Sequence, residues 1–270
     1  VPDPTIACLT IGSSDSSGGA GVQGDIKAFA SIGCFAATVV VGVTAQNTTG
    51  VRARYGLPVD LVRAQLSAVL DDLPIRGIKV GTAWSPELVT WLGSALADLS
   101  VPIVVDPVLV TAAGAYLSDV EQIRSALVES LFPLATVVTP NRQEAELLVG
   151  APPHALDRRE LAAALVDLGA PAAVVTADAR DSGDWFFDGT THELLAGAYH
   201  DTNCEHGAGC AHSALATGLL AGGMPLPEAM RQARQLASDG VRDGLGHLGS
   251  GVHPVDVLGL PRLVRTPTRS

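Results

Sequence analysis

Short, almost wholly apolar runs rich in β-branched residues alternate along this chain with longer stretches in which apolar residues recur every three or four positions. Runs of the first kind suit buried parallel strands, and the second kind suits amphipathic helices packed on them. The strand-length runs are residues 6–11, 37–43, 78–81, 103–106, 136–139 and 172–176. Helical spacing covers 22–32, 59–70, 86–99, 120–131, 158–168, 211–221 and 227–243, and a further helix opens at Asn141. Pro86 stands in a first helical turn, where its missing N–H costs nothing, and glycines and prolines punctuate the joints. Residues 185–187 and 193–196 flank Asp188-Gly189 and predict a β-hairpin that breaks the alternation. The pattern predicts an α/β fold with a single doubly wound, mostly parallel sheet and helices on both faces. One domain is expected over residues 1–260, with 261–270 as a loose tail.

Composition narrows the function without changing that fold. A length of 270 residues suffices for one large core. Lys plus Arg number 17 against 28 Asp plus Glu, a net charge of −11 that argues against nonspecific binding to nucleic acid or an anionic membrane. Any phosphate must therefore be held by local geometry. The apolar run 35–45 is far shorter than the ~20 residues that cross a bilayer, and residues 1–9 lack a basic leader, so a cytoplasmic location is expected. Cys8, Cys34, Cys204 and Cys210 form no C-x-x-C pair, which predicts reduced thiols and no structural zinc.

Candidate chemistry gathers at four places. His206-Gly207-Ala208-Gly209-Cys210 runs into the helical pattern beginning at 211. Glycines allow a ligand to approach the backbone, and unpaired N–H groups at a helix start favour an anion and lower the pKa of a thiol there. Cys210 is then a reactive group or a small buried filler. After the first strand comes Gly12 to Gly21, a glycine- and serine-rich stretch that fits neither G-x-x-x-x-G-K-[ST] nor G-x-G-x-x-G. Within it Asp15 is equally a ligand contact or a turn residue. Gln46, at the end of the second strand, offers a donor and an acceptor suited to a heterocycle, while Asn47 reads as turn chemistry. Asp106, Asn141 and Glu144 fall at carboxyl ends of strands, where open α/β sheets bind ligands. Asn141 and Glu144 also have the spacing of a helix capping box, which explains them without any catalysis.

Five ordered motifs carry a resemblance: Leu9-Thr10-Ile11-Gly12-Ser13-Ser14-Asp15-Ser16-Ser17-Gly18-Gly19-Ala20-Gly21-Val22-Gln23, Ala45-Gln46-Asn47-Thr48, Val105-Asp106-Pro107-Val108, Thr139-Pro140-Asn141-Arg142-Gln143-Glu144-Ala145, and His206-Gly207-Ala208-Gly209-Cys210. Over residues 6–256 the chain resembles the hydroxymethylpyrimidine/phosphomethylpyrimidine kinases of thiamine biosynthesis, within the ribokinase-like superfamily. The resemblance implies ATP-dependent phosphorylation of a small pyrimidine alcohol and its monophosphate, with Mg2+ as cofactor and no nucleic acid or membrane partner. It leaves a homodimer open. It places Gln46 on the pyrimidine edge, with Asp15 and the Gly18-Gly19 loop beside it and Val108 lining the same pocket. Asn141 and Glu144, with Asp106, would hold magnesium and its waters near the nucleotide phosphates. Gly207, Ala208, Gly209 and Cys210 would form the anion hole, with Cys210 as general base.

Three departures accompany the resemblance. Thr82 replaces a methionine expected to pack on the pyrimidine. Ala177-Asp178-Ala179-Arg180 stands where the family has Lys-Gly-Gly-His, leaving Arg180 as the candidate cation for nucleotide phosphate. Asn203-Cys204-Glu205-His206 is one residue longer than usual. The competing readings are a pyridoxine/pyridoxal kinase, with Thr82 as the discriminating residue, and a noncatalytic binding relative.

Overall fold

The apolar runs pair into one nine-stranded sheet because each has two faces to bury and a helix to cover each face. Residues 5–82, 84–109, 120–177 and 183–260 are described in the computed structural model of the chain. The strands are β1 (Ala7–Asp15), β2 (Phe35–Asn47), β3 (Gly50–Gly56), β4 (Ile75–Val80), β5 (Ile103–Val105), β6 (Val137–Val138), β7 (Ala173–Val175), β8 (Gly183–Phe187) and β9 (His192–Ala196). Their spatial order is β3-β2-β1-β4-β5-β6-β7-β8-β9. From β2 through β7 all neighbours are parallel, whereas β3, β8 and β9 pair antiparallel at the two edges.

Side chains alternate between two cores, as the pleat requires. Leu9, Ile11, Val39, Val41, Ile78, Val80, Ile103 and Val105 face one core, which is closed by α2 (Val59–Leu70), α3 (Pro86–Leu96), α4 (Val120–Ala126), α5 (Arg142–Val149) and α6 (Arg158–Asp167). Cys8, Val104, Val137, Ala172 and Val174 face the other, closed by α1 (Gly21–Ser31), α7 (Ala208–Ala221) and α8 (Leu226–Arg242). The doubly wound expectation is met.

Several boundaries differ from the sequence expectation for physical reasons. β1 continues through the polar stretch to Asp15, because Ser13, Ser14 and Asp15 pair with Gly42, Val43 and Thr44 beyond a register shift at Gly12/Ser13. β2 runs on to Asn47 and turns into β3, an edge strand missed in the sequence because its residues are mostly exposed and carry Arg52 and Arg54 instead of apolar alternation. The helix expected over 120–131 widens into a π turn at Leu127–Leu131. α7 starts at Ala208, three residues earlier than its apolar pattern, so Gly209 and Cys210 belong to the helix and not to a preceding turn. The expected tail, 261–270, lies outside the described residues.

Candidate active site at the carboxyl ends of the strands

Strand order reverses at β1, with β2 and β3 on one side and β4 to β9 on the other. Such a switch point opens a crevice beyond the carboxyl ends of the strands. A cavity of about 430 Å³ lies there, and its wall includes Asp15, Gln46, Thr82, Trp84, Asp106, Val108, Asn141, Glu144 and the run Gly207, Ala208, Gly209, Cys210. Residues from five strand ends and one helix start are thus brought together. Gly18 and Gly19 are not in this wall, contrary to expectation.

Their role is backbone packing behind it. Gly207 caps α7 at φ +85°, a left-handed conformation that favours glycine. A Cβ on Gly207 would lie 1.9 Å from the Gly19 carbonyl oxygen, and one on Gly19 would lie 2.2 Å from the His206 ring. The two loops therefore touch backbone to backbone. Asp15 fastens them: its carboxylate accepts from the Ser17 and Ala20 amides at 2.8 and 2.9 Å and meets His206 Nε2 at 2.8 Å. Burial opposes the charge, but His206, Ser17 and Ala20 outweigh it and hold the Asp15 pKa below the ordinary carboxylate value. Between the two openings left by the sequence, ligand contact or loop staple, the Asp15 carboxylate is fully engaged as the staple.

Beneath the cavity lies a charged network that the sequence reading missed. Lys79, on β4, is fully buried, ion-paired with Asp25 of α1, 3.5 Å from Asp106 and 3.3 Å from the Cys210 carbonyl. Thr10 donates to the other Asp25 oxygen at 2.6 Å, and Ser213 donates to Asp106 at 2.8 Å. Burial works against the ammonium, yet the surrounding negative groups outweigh it and raise the Lys79 pKa. A signal was present: Asp25 sits on the buried stripe of its helix with Val22, Ala28 and Phe29, where a solvated acid has no place.

Cys210 is where the resemblance placed it, in the first turn of α7, but its electrostatics reverse the expectation. Burial pushes the thiol up to about 12; Lys79 and the Gly21 amide oppose the rise, while Asp25 and Asp106 add to it. A helix end contributes roughly 0.3–1 kcal/mol, too little to overturn desolvation next to two acids. The expected lowering of the thiol pKa is therefore corrected.

Asn141 and Glu144 form the full capping box of α5, each side chain bonded to the other's backbone amide at 2.9 and 3.0 Å. Burial, and then Asp106, raises the Glu144 pKa to about 8. Asp106, Glu144 and Thr139, whose buried Oγ1 has no hydrogen-bond partner among the described residues, line the same cavity wall. Oxygen donors of this kind fit Mg2+. Among the described residues no three His, Cys, Asp or Glu side chains converge on one metal position, so water and phosphate oxygens would have to complete the shell.

Gln46 binds Ser16 through its own backbone, and its side-chain oxygen accepts only a 3.3 Å bond from Thr44. Trp84 is an unexpected wall residue. Its indole N–H donates to Ser13 at 2.6 Å and the ring packs on Gly42, where a Cβ would come within 2.3 Å. A second cleft of about 850 Å³ shares Asn141, Gln143, Thr176, Ala208 and Gly209 with the first and adds Arg142, His154, His200 and Arg234. The start of α7 is a common wall of both. Arg180 lies outside the described residues.

A family model described as phosphomethylpyrimidine kinase matches residues 15–256. A hydroxymethylpyrimidine/phosphomethylpyrimidine kinase of Rhizobium meliloti (strain 1021) is 38% identical over 259 residues, 93% of this chain and 96% of the relative. Among solved structures, pyridoxal kinase of Bacillus subtilis in complex with ADP is 30% identical with a TM-score of 0.87, over 96% of this chain and 99% of that one. Pyridoxal kinase of Staphylococcus aureus in complex with AMP-PCP and pyridoxal is 28% identical with a TM-score of 0.85, over 96% of each chain.

Proposed function

The chain belongs to the phosphomethylpyrimidine kinase family of phosphotransferases, and from that membership we propose that it transfers a phosphoryl group from ATP to the hydroxymethyl oxygen of 4-amino-5-hydroxymethyl-2-methylpyrimidine and then to the resulting monophosphate. The observation that carries this reading is the shared wall: the first turn of α7 borders both cavities, so an alcohol in one and a nucleotide in the other meet at the same N–H groups. Phosphoryl transfer needs chiefly positioning and charge neutralisation, which such a helix start supplies.

In this reading the amides of Gly207 and Gly209 cradle the transferring group, while the Ala208 amide donates to the Glu205 carbonyl at 3.0 Å and holds the turn. Gln46 reads the polar edge of the heterocycle, while Thr82, Val108 and Trp84 bound its faces. Asn141 lies toward the nucleotide, and Asp106 with Glu144 would hold Mg2+; when bound, that ion neutralises phosphate charge. Cys210 takes the hydroxyl proton late in the transfer. Because its thiol is protonated in the free site, the small thiolate fraction limits the rate. The single sheet bearing both cavities supports one catalytic domain over 1–260.

A second reading, pyridoxal phosphorylation, is favoured by the likeness to pyridoxal kinase structures and by Thr82 at a position where a methionine would pack on the pyrimidine. Following ADP release with the pyrimidine alcohol, its monophosphate and pyridoxal in turn separates the two. The expected result is turnover of both pyrimidines with a higher kcat/KM than pyridoxal. Preference for pyridoxal overturns the pyrimidine assignment, and no turnover of any alcohol supports the noncatalytic relative.

A further inference from the structure

Three polar side chains outside the acceptor cavity, from β8, α7 and α8, gather at one place, two of them buried and Arg234 with 17% of its side chain exposed. Asp184 of β8 is 2% exposed and accepts from the Ala177 amide at 2.8 Å. His212 of α7 is 3% exposed, and among the described residues neither ring nitrogen has a hydrogen-bond partner; its Nε2 is 4.0 Å from Asp184. Arg234 of α8 lies 3.5 Å from Asp184, and its Nε is buried with no hydrogen bond among the described residues. The Arg234 guanidinium rests on Gly197, where a Cβ would come within 2.5 Å of it, so the backbone is shaped to admit the planar group.

Arg234 also lines the 850 Å³ cleft, whose wall includes Ala208 and Gly209 at the start of α7. The other arginine of that wall, Arg142, is committed to Glu146 at 3.1 Å and to the Leu156 carbonyl at 2.8 Å. Burial lowers the His212 pKa and keeps its ring neutral, leaving Arg234 as the countercharge of Asp184. Asp184 Oδ1 already takes the Ala177 amide at 2.8 Å and lies 3.5 Å from Arg234 Nε, which has no hydrogen bond among the described residues, so the guanidinium keeps donor capacity for a ligand. A planar cation with unmet donors, held at the edge of a cleft, matches phosphate oxygens.

We propose that Arg234, positioned by Asp184, binds the polyphosphate chain of the nucleotide in this cleft. It supplies from α8 the cation that Ala177, at the end of β7, does not. The identity of the ligand rests on the kinase reading above; the anion-binding role of Arg234 rests on the geometry.

Direct calorimetric titration of the free enzyme with ATP, ADP and adenosine tests it, using wild type, Arg234→Met and Arg234→Lys. Arg234→Met should weaken ATP and ADP roughly 10- to 100-fold and leave adenosine unchanged, the size expected for a lost charge-assisted bond. Arg234→Lys keeps the charge beside Asp184 and should fold where the methionine variant does not; it should weaken ADP several-fold and spare adenosine. Equal losses for adenosine and ADP, or no loss for either in the lysine variant, would overturn the proposal. If wild type binds ATP and the variants lose it while no pyrimidine alcohol turns over, the substrate reading fails and the role of Arg234 stands.

Discussion

On the acceptor side of the α7 start, buried charges are matched by partners already in place: Asp15 with His206, Ser17 and Ala20, and Lys79 with Asp25 and Asp106. Around Asp184 the pairing is incomplete: among the described residues the buried His212 ring, the buried Nε of the partly exposed Arg234 and, in the wall of the first cavity, Thr139 Oγ1 have no hydrogen bond. The difference teaches where preorganisation resides. A saturated network fixes the cradle before any ligand arrives, at a desolvation cost met during folding. Unsaturated groups carry a standing penalty that a polyanion would relieve, which couples nucleotide binding to stability.

The sharpest break should come at the shared wall itself. Cys210→Ala should lower kcat about 10²- to 10⁴-fold while leaving the KM for alcohol and ATP nearly unchanged. Wild-type kcat/KM should climb with pH up to about 9 without a plateau, since burial pushes the thiol of the free site up to about 12. Iodoacetamide should accordingly react slowly near neutrality. Full turnover by the alanine variant in steady-state assays would reduce Cys210 to a packing group.

Next in size is the acceptor-side network. Lys79→Met leaves Asp25 and Asp106 without their buried cation and should cost about 3–5 kcal/mol in urea denaturation. Adding Asp25→Asn should return a substantial part of that loss, because removing both charges removes the unpaired one. A double variant no more stable than the single one would mean that the pair is not coupled.

Glu144 tests the boundary through pH. Its folded pKa of about 8 lies above the ordinary 4.5, so the folded chain keeps a proton that the unfolded chain releases between those values. Stability should therefore be greatest below about 4.5 as far as this group is concerned, fall as pH rises to 8, and level off above it. The full effect is on the order of a few kcal/mol. Glu144→Gln should remove this decline in thermal melts taken across that range while keeping the capping box. An identical pH slope in the variant would assign the decline elsewhere.

The smallest effect is expected at Gln46, whose side chain is only loosely held and awaits a ligand edge. Gln46→Leu should weaken alcohol binding by ~1–3 kcal/mol and leave ATP affinity alone, as measured by calorimetry. Unchanged alcohol affinity would place recognition with Trp84 and the other wall residues.

Much of this was legible in the one-dimensional pattern, because burial on two faces forces β-branched runs into strands and 3.6-residue spacing into the helices between them. The winding of the sheet, the β8–β9 hairpin, the Asn141–Glu144 capping box and the position of Gln46, Asp106 and Cys210 at the strand ends or helix start all follow from local spacing. Only the tertiary structure decided what those groups face. Lys79 and Asp25 are 54 positions apart, and their pairing depends on β4 lying beside β1 beneath α1. Trp84 became a wall because Gly42, on another strand, leaves room for its ring. Cys210 shows the limit most directly: its place in a helix start predicted a lowered pKa, and burial beside two acids raised it. Local geometry sets the direction of a helix end, but desolvation and the sign of neighbouring charges depend on residues brought together from across the chain.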